Sequence, residues 1–186
     1  MHKKSLLLQV NIVPLVAAIV INMASNSLSN QGKNELLAKE LDRAQKIAKI
    51  RAVEKFFDAY KSPLKPHSKT FVEVAEKYGL DYRLLPAISC MESSCGKKLI
   101  EGSYNPFGWG IYGSNAIYFI NYDEAIETVG KGLKTSYLDK GFDTPQKIAP
   151  IYTPPNHRNW LSGVTFFMEK IEPQIENPQN GGNEGI

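Results

Sequence analysis

Glu92 ends an apolar run, Leu84-Leu85-Pro86-Ala87-Ile88-Ser89-Cys90-Met91, and is followed by Ser93 and Ser94. A carboxyl near the end of a helix packed into a core loses part of its water. Desolvation disfavours the anion, so the group holds its proton toward neutral pH. A protonated carboxyl can donate to a departing glycosidic oxygen, as a general acid must. A second feature follows about a dozen residues on, Tyr104-Asn105-Pro106-Phe107-Gly108-Trp109-Gly110-Ile111-Tyr112. Aromatic faces stack on the apolar faces of sugar rings, and glycine lets a ligand approach the backbone. The same aromatics could equally plug a small core. Further on, Asn156-His157-Arg158-Asn159-Trp160 follows two prolines. Its polar groups could read sugar hydroxyls or N-acetyl groups, and Trp160 either serves as a platform or anchors the last helix.

Cys90 and Cys95 flank Glu92. On a continuous helix they would lie too far apart to bridge, whereas a helix ending near Ser94 would let them close. They could instead be two buried small side chains. A cysteine nucleophile paired with His157 is a further chemical option, but no Cys-His motif accompanies it. His2 and His67 have no partners at ligand spacing, so neither a catalytic metal nor a cofactor is expected.

The elements around these residues follow from composition. Of 186 residues, 42% are hydrophobic and 22% charged, which supports one packed domain with appendages. Residues 1–61 carry 10 basic and 5 acidic side chains, residues 62–171 carry 12 and 11, and residues 172–186 carry 0 and 3. The near-neutral middle lacks the basic face that nucleic acid requires, so no nucleic-acid partner is expected. Residues 1–24 read as a signal anchor or signal peptide. Lys3 and Lys4 precede an apolar run over 5–24 that could enter a membrane, and no small-x-small cleavage pair follows it. The basic side is N-terminal, which predicts an exported domain, membrane-anchored on the outer side or secreted if the N-terminus is cleaved. Residues 25–61 form a helical stalk without proline, whose Leu37, Leu41, Ala44 and Ala48 keep helical spacing until Arg51 interrupts. It could self-associate or dock on the domain, docking being favoured for the end with Phe56, Phe57 and Tyr60. Residues 173–186 read as a disordered tail.

Residues 62–172 are the domain, mainly α-helical. Ser68 is expected to cap a helix bearing Phe71, Val74, Ala75 and Tyr78, which Gly79 ends. The Glu92 helix comes next. Residues 96–121 read as a long aromatic, glycine-rich loop, with a short hairpin around Ile111 to Phe119. Asn121 with Glu124 forms a capping-box-like start for a helix with Ala125, Ile126, Val129 and Leu133. Thr144-Pro145 starts another, and Ser162 is expected to cap the last, which buries Val164, Phe167, Met168 and Ile171.

Taken together these segments resemble lysozyme-like peptidoglycan-cleaving domains, the superfamily of lytic transglycosylases and bacterial N-acetylglucosaminidases. Ile88-Ser89-Cys90-Met91-Glu92-Ser93-Ser94-Cys95-Gly96-Lys97 is similar to their Glu-Ser-Ser/Gly element. Asn105-Pro106-Phe107-Gly108 resembles the Asn-x-Phe-Gly of the glucosaminidase branch, and Ala149-Pro150-Ile151-Tyr152 an Ala-x-x-Tyr element. Tyr78-Gly79-Leu80-Asp81 and Asp123-Glu124-Ala125-Ile126 agree as well, so the likeness runs in order over residues 62–171. It implies a lysozyme-like helical fold that cleaves a β-1,4 linkage between N-acetylglucosamine and N-acetylmuramic acid. Glu92 would be the general acid. Tyr152 would position it or stabilise the transition state. Ser93, Tyr104, Asn105, Phe107, Trp109, Tyr112 and Asn156 would contact the glycan. The Gly-Leu-Met-Gln element of typical lytic transglycosylases is replaced by Asn105-Pro106-Phe107-Gly108-Trp109-Gly110, which favours a hydrolase. A two-carboxylate hydrolase needs a second acid at roughly 5 or 6.5–9.5 Å. Glu101 and Asp123 are the candidates, unless the substrate's own N-acetyl group assists. The rival from another class is a non-catalytic cell-wall glycan-binding or scaffold protein.

Overall fold

The computed structural model describes residues 13–110 and 116–172, with side chains from residue 30 onward. Six α-helices follow in order: α1 Val13–Ala59, α2 Ser68–Tyr78, α3 Leu84–Ser93, α4 Tyr122–Ser136, α5 Pro145–Tyr152 and α6 His157–Glu169. Short 3-10 turns at Lys65–His67, Leu138–Lys140 and Pro154–Asn156 join them. No strand occurs among the described residues. The part of the expected hairpin at 116–119 has no regular secondary structure and is tied down by the Phe119 N–H donating to the Ser103 carbonyl at 2.9 Å. Residues 111–115 lie outside the described residues.

The chain divides into two compact units, Met1–Ala44 and Gln45–Ile186. In the first, the side chains described are all exposed, Leu36, Leu37 and Leu41 among them. No described helix is long and apolar enough to cross a membrane. The expected span over 5–24 lies only in part within the described residues. From Val13 the apolar run reaches only Ala24 and includes Asn22, about 18 Å of helix against a hydrocarbon core of about 30 Å. Residues 1–12, which hold the rest of that run, lie outside the described residues, as does the tail at 173–186.

The second unit begins well before residue 62. Ala52, Val53, Phe56 and Phe57 are buried at helical spacing, so the last turns of α1 are core. Each such large apolar side chain contributes about 1.5–3 kcal/mol by leaving water. Phe57 meets Phe71 of α2, and Phe56 meets Phe167 of α6. Lys46 and Lys49 add ion pairs to Glu73 and Glu76. Inside this frame α3 packs along α6, α2 along α4, and α5 along α6.

Local signals set most helix ends. Gly79 ends α2 at φ 67°, and the Asn121 side chain accepts the Glu124 N–H while Glu124 returns a bond to the Ile120 N–H. Thr144 caps α5, with Pro145 in its first turn. Two expected caps fail. Ser68 lies inside α2, its hydroxyl donating to the Lys65 carbonyl instead of accepting a helix N–H. Ser162 is in the middle of α6, because the 3-10 turn at Pro154–Asn156 leads directly into a helix that starts at His157.

Candidate active site

Glu92 sits in the last turn of α3, and the chain turns sharply behind it. Ser94, Cys95 and Gly96 all take left-handed backbone angles, with φ of 53°, 59° and 77°. Two of these are not glycine, an arrangement that survives only where surrounding bonds fix it. Cys90 and Cys95 are joined by a disulfide, and both are buried. The bridge removes both thiols and with them the cysteine-nucleophile option. The Ser62 hydroxyl donates to the Cys95 carbonyl at 2.7 Å. A Cβ at Gly96 would stand 2.9 Å from the Leu64 side chain, so this turn lies directly on the chain that follows α1.

The aromatic loop is built with equal economy of polar groups. Asn105 is buried; its amide donates to the Trp109 and Ile117 carbonyls at 2.9 and 3.2 Å, and its oxygen accepts the Trp109 N–H at 3.0 Å. Ser93 is buried too, its hydroxyl 2.8 Å from the Ser89 and Pro106 carbonyls and accepting the Gly96 N–H. These two residues, expected to touch glycan, are spent on backbone. They hold the loop against the end of α3.

Between the loop, the end of α3, α5 and the start of α6 lies a cleft of about 660 Å³. Glu92, Phe107, Trp109, Tyr152 and Asn156 line it, as expected of them. Met91, Tyr137, Thr153, Asn159 and Trp160 line it as well. Phe107 is otherwise buried against Phe71. Tyr104 instead stands over Tyr122, its ring centroid 5.2 Å away, and is not among the lining residues. Tyr112 lies outside the described residues. Two glycines shape the walls: a Cβ at Gly132 would meet the Trp109 indole at 2.5 Å, and one at Gly163 the Met91 sulfur at 2.4 Å.

Glu92 opens onto the cleft, and its residue surface counts as exposed, yet protein packed behind the carboxyl takes away part of its water. Burial raises its pKa above the ordinary carboxyl value, and the hydrogen bond from Trp160 opposes that rise without cancelling it. The Trp160 Nε1–H donates to Glu92 Oε1 at 2.8 Å. The Tyr152 ring stacks on that indole at 4.8 Å between centroids. Tyr152 is thereby linked to the acid through Trp160. Its hydroxyl lies 3.5 Å from the Phe107 carbonyl, a weak contact at most.

Neither second-acid candidate lines the cleft. Glu101 is an exposed loop residue. Asp123 is in the first turn of α4, within 2.8 Å of His67 Nδ1 and accepting the Thr70 hydroxyl at 2.6 Å. Partial burial pushes its pKa up, but the bonds from Thr70 and His67 outweigh that and hold it below the usual value. Glu92 is the one carboxylic acid among the described lining residues. No group of three or more His, Cys, Asp or Glu side chains gathers as a metal site among the described residues.

The Trp160–Glu92 bond has no signature in the sequence, although Trp160 itself stands out there as a platform or anchor. The two residues are 68 positions apart, and no local pattern joins them. Asn159 belongs to the polar stretch expected to read sugar groups, whereas Tyr137 and Thr153 carry no sequence signal beyond being aromatic or polar. The chain matches no protein-family model and no curated protein.

Proposed function

We propose that this protein cleaves peptidoglycan glycan strands at a β-1,4 linkage between N-acetylglucosamine and N-acetylmuramic acid, with Glu92 as the general acid. The observation that carries this reading is a partly desolvated carboxyl in an aromatic cleft, the one carboxylic acid among the described lining residues, held by an indole N–H. Glu92 gives its proton to the glycosidic oxygen as the bond from C1 to that oxygen breaks, and positive charge develops on the sugar ring. Trp109 and Tyr152 offer faces to the rings, while Thr153, Asn156 and Asn159 offer hydrogen-bonding groups to hydroxyls and N-acetyl groups.

With one acid among the described residues that line the cleft, the substrate supplies the nucleophile. The N-acetyl oxygen of the cleaved sugar attacks C1. The Glu92 carboxylate then takes a proton from the water that opens the resulting ring, and the acid is restored. A retaining N-acetylglucosaminidase-like hydrolase of this kind needs no second carboxylate and no cofactor. The same single acid also serves an intramolecular attack by a sugar hydroxyl, which leaves an anhydro end. The product therefore decides between the two. The chain is further proposed to work outside the cytoplasm, tethered through residues 5–24. The basic pair ahead of that run and the Cys90–Cys95 bridge both support an oxidising, exported setting.

The test is mass spectrometry of soluble products after incubating the full chain with purified peptidoglycan, alongside Glu92→Gln. Muropeptides from the wild type alone support the enzyme. A reducing N-acetylglucosamine end identifies a glucosaminidase, a reducing N-acetylmuramic acid end a muramidase, and an anhydro end a lytic transglycosylase. Retained binding without products from either folded protein would sink the catalytic reading and leave a glycan-binding scaffold.

A further inference from the structure

We infer that the Cys90–Cys95 cross-link, together with the Ser62 hydroxyl, is a positioning device for Glu92, fixing the left-handed turn behind the acid so that the carboxyl stays on the Trp160 indole. The inference rests on the reading of Glu92 as the acid.

The bridge joins residues only five positions apart and encloses Glu92. A disulfide stabilises a fold chiefly by constraining the unfolded chain, and that effect grows with the length of the closed loop. A loop this short gives the least of it. What the bridge does at this place is local. Ser94, Cys95 and Gly96 stand in a conformation that side chains disfavour. Left to itself, this stretch would either wind on as right-handed helix or fray back through Ser93. Either change moves the Ser93 hydroxyl off the Pro106 carbonyl, where it now lies at 2.8 Å, and so detaches the cleft loop from the acid. The bridge blocks the first change by holding Cys95 beside Cys90. The buried Ser62 bond to the Cys95 carbonyl holds the other side of the same residue. Lys98 closes the turn with its N–H on the Ser93 carbonyl at 2.8 Å.

The reason to fix a carboxyl so tightly is geometric. A displacement of about 1 Å at a reacting group costs on the order of a hundredfold in rate. Among the described residues, Glu92 has one hydrogen-bond donor on it, the Trp160 N–H, and no charged group contributes to its shift. Its orientation accordingly depends on the backbone beneath it. Cys90, Cys95 and Ser62 are positioning residues in this scheme; none of them lines the cleft.

The experiment compares the full wild-type chain with Cys90→Ala/Cys95→Ala and with Ser62→Ala. Two readouts are taken: kcat and KM against pH on peptidoglycan, and the titration of Glu92 followed by NMR of its labelled side-chain carboxyl. The expected result for the cysteine variant is a kcat lowered about tenfold or more with KM within about twofold. The Glu92 titration and the alkaline limb of kcat both move to lower pH, because the water a loosened carboxyl regains outweighs the indole bond it loses, burial being the larger of the two effects on Glu92. Ser62→Ala moves the same quantities in the same direction by less. An unchanged Glu92 titration, with activity lost only in proportion to unfolded protein, overturns the inference and leaves the bridge a simple staple. Should the cysteine variant not fold, Ser62→Ala decides alone by the same criterion. Absence of turnover in the wild type would instead count against the proposed function, while the NMR titration still tests the positioning.

Discussion

Glu92 and Asp123 are both carboxyls at a helix end, both partly removed from water, and both accept a short hydrogen bond. Their pKa values nevertheless move in opposite directions. The balance of burial against bonding accounts for this: desolvation outweighs the Trp160 bond at Glu92, whereas the Thr70 and His67 contacts outweigh desolvation at Asp123. The helix positions run in the same sense, Glu92 in the last turn of α3 and Asp123 in the first turn of α4, where unsatisfied N–H groups favour an anion. Glu92 also receives one neutral donor, an indole, while Asp123 receives a hydroxyl and an imidazole that can carry charge. The same functional group is thus made a proton donor in the cleft and a structural anion on α4. The lesson is that a search for a second acid by residue type alone selects groups already committed elsewhere.

The contrast can be broken most forcefully at Glu92 itself. Glu92→Gln keeps the acceptor for Trp160 and removes the proton, so turnover of peptidoglycan should fall about 10²–10⁴-fold in a product-release assay. Asp123→Asn in the same assay should stay within about twofold of the wild type, being outside the cleft. Equal losses at the two positions would erase the distinction drawn here. Trp160→Phe tests the donor. Losing the N–H removes the one contact that lowers the Glu92 pKa, so the alkaline limb of kcat should shift to higher pH. Turnover at neutral pH should drop about tenfold as the carboxyl loses its anchor.

Smaller effects belong to stability. Glu92 binds its proton more tightly folded than unfolded. Its favourable contribution is therefore complete below the unfolded pKa and is lost as pH rises through the folded value. The Tm of Glu92→Gln should accordingly gain on the wild type as pH rises toward neutrality. Asp123 runs the other way: its contribution is present above the unfolded pKa and is lost as pH falls through the lowered folded one. Asp123→Asn should cost about 0.5–1 kcal/mol near neutral pH, vanishing in acid, as measured by denaturant unfolding at several pH values. Parallel slopes for the two variants would contradict the opposed shifts.

The helical character and most helix ends could be read from the chain because they rest on neighbours in sequence. Asn121 with Glu124, Thr144 with Pro145, and Gly79 each act within one turn. Ser162 failed as a cap because a side chain can cap only where the helix begins, and two prolines upstream moved that beginning to His157. In the cleft, Glu92 was legible from its place on an apolar run, and Phe107, Trp109, Tyr152 and Asn156 do line the cavity. Ser93 and Asn105 were misread for an instructive reason. Polar residues beside an acid look like ligands for substrate, but a sharp turn leaves backbone groups unsatisfied, and these two side chains satisfy them. The Trp160 bond and the seat of Trp109 on Gly132 depend on how α6 and α4 come together, which no local spacing encodes.

The burial of Val53, Phe56 and Phe57 changes what counts as a portable part of this protein. A cut at residue 62 looks natural, since a Ser-Pro-Leu-Lys-Pro stretch stands there, but it would strip aromatic side chains from the core and make a raw end of Ser62, whose hydroxyl bonds the Cys95 carbonyl. The compact unit that holds the site begins at Gln45. Recombination, fusion to another anchor or proteolytic release would have to take the end of the long helix along as cargo.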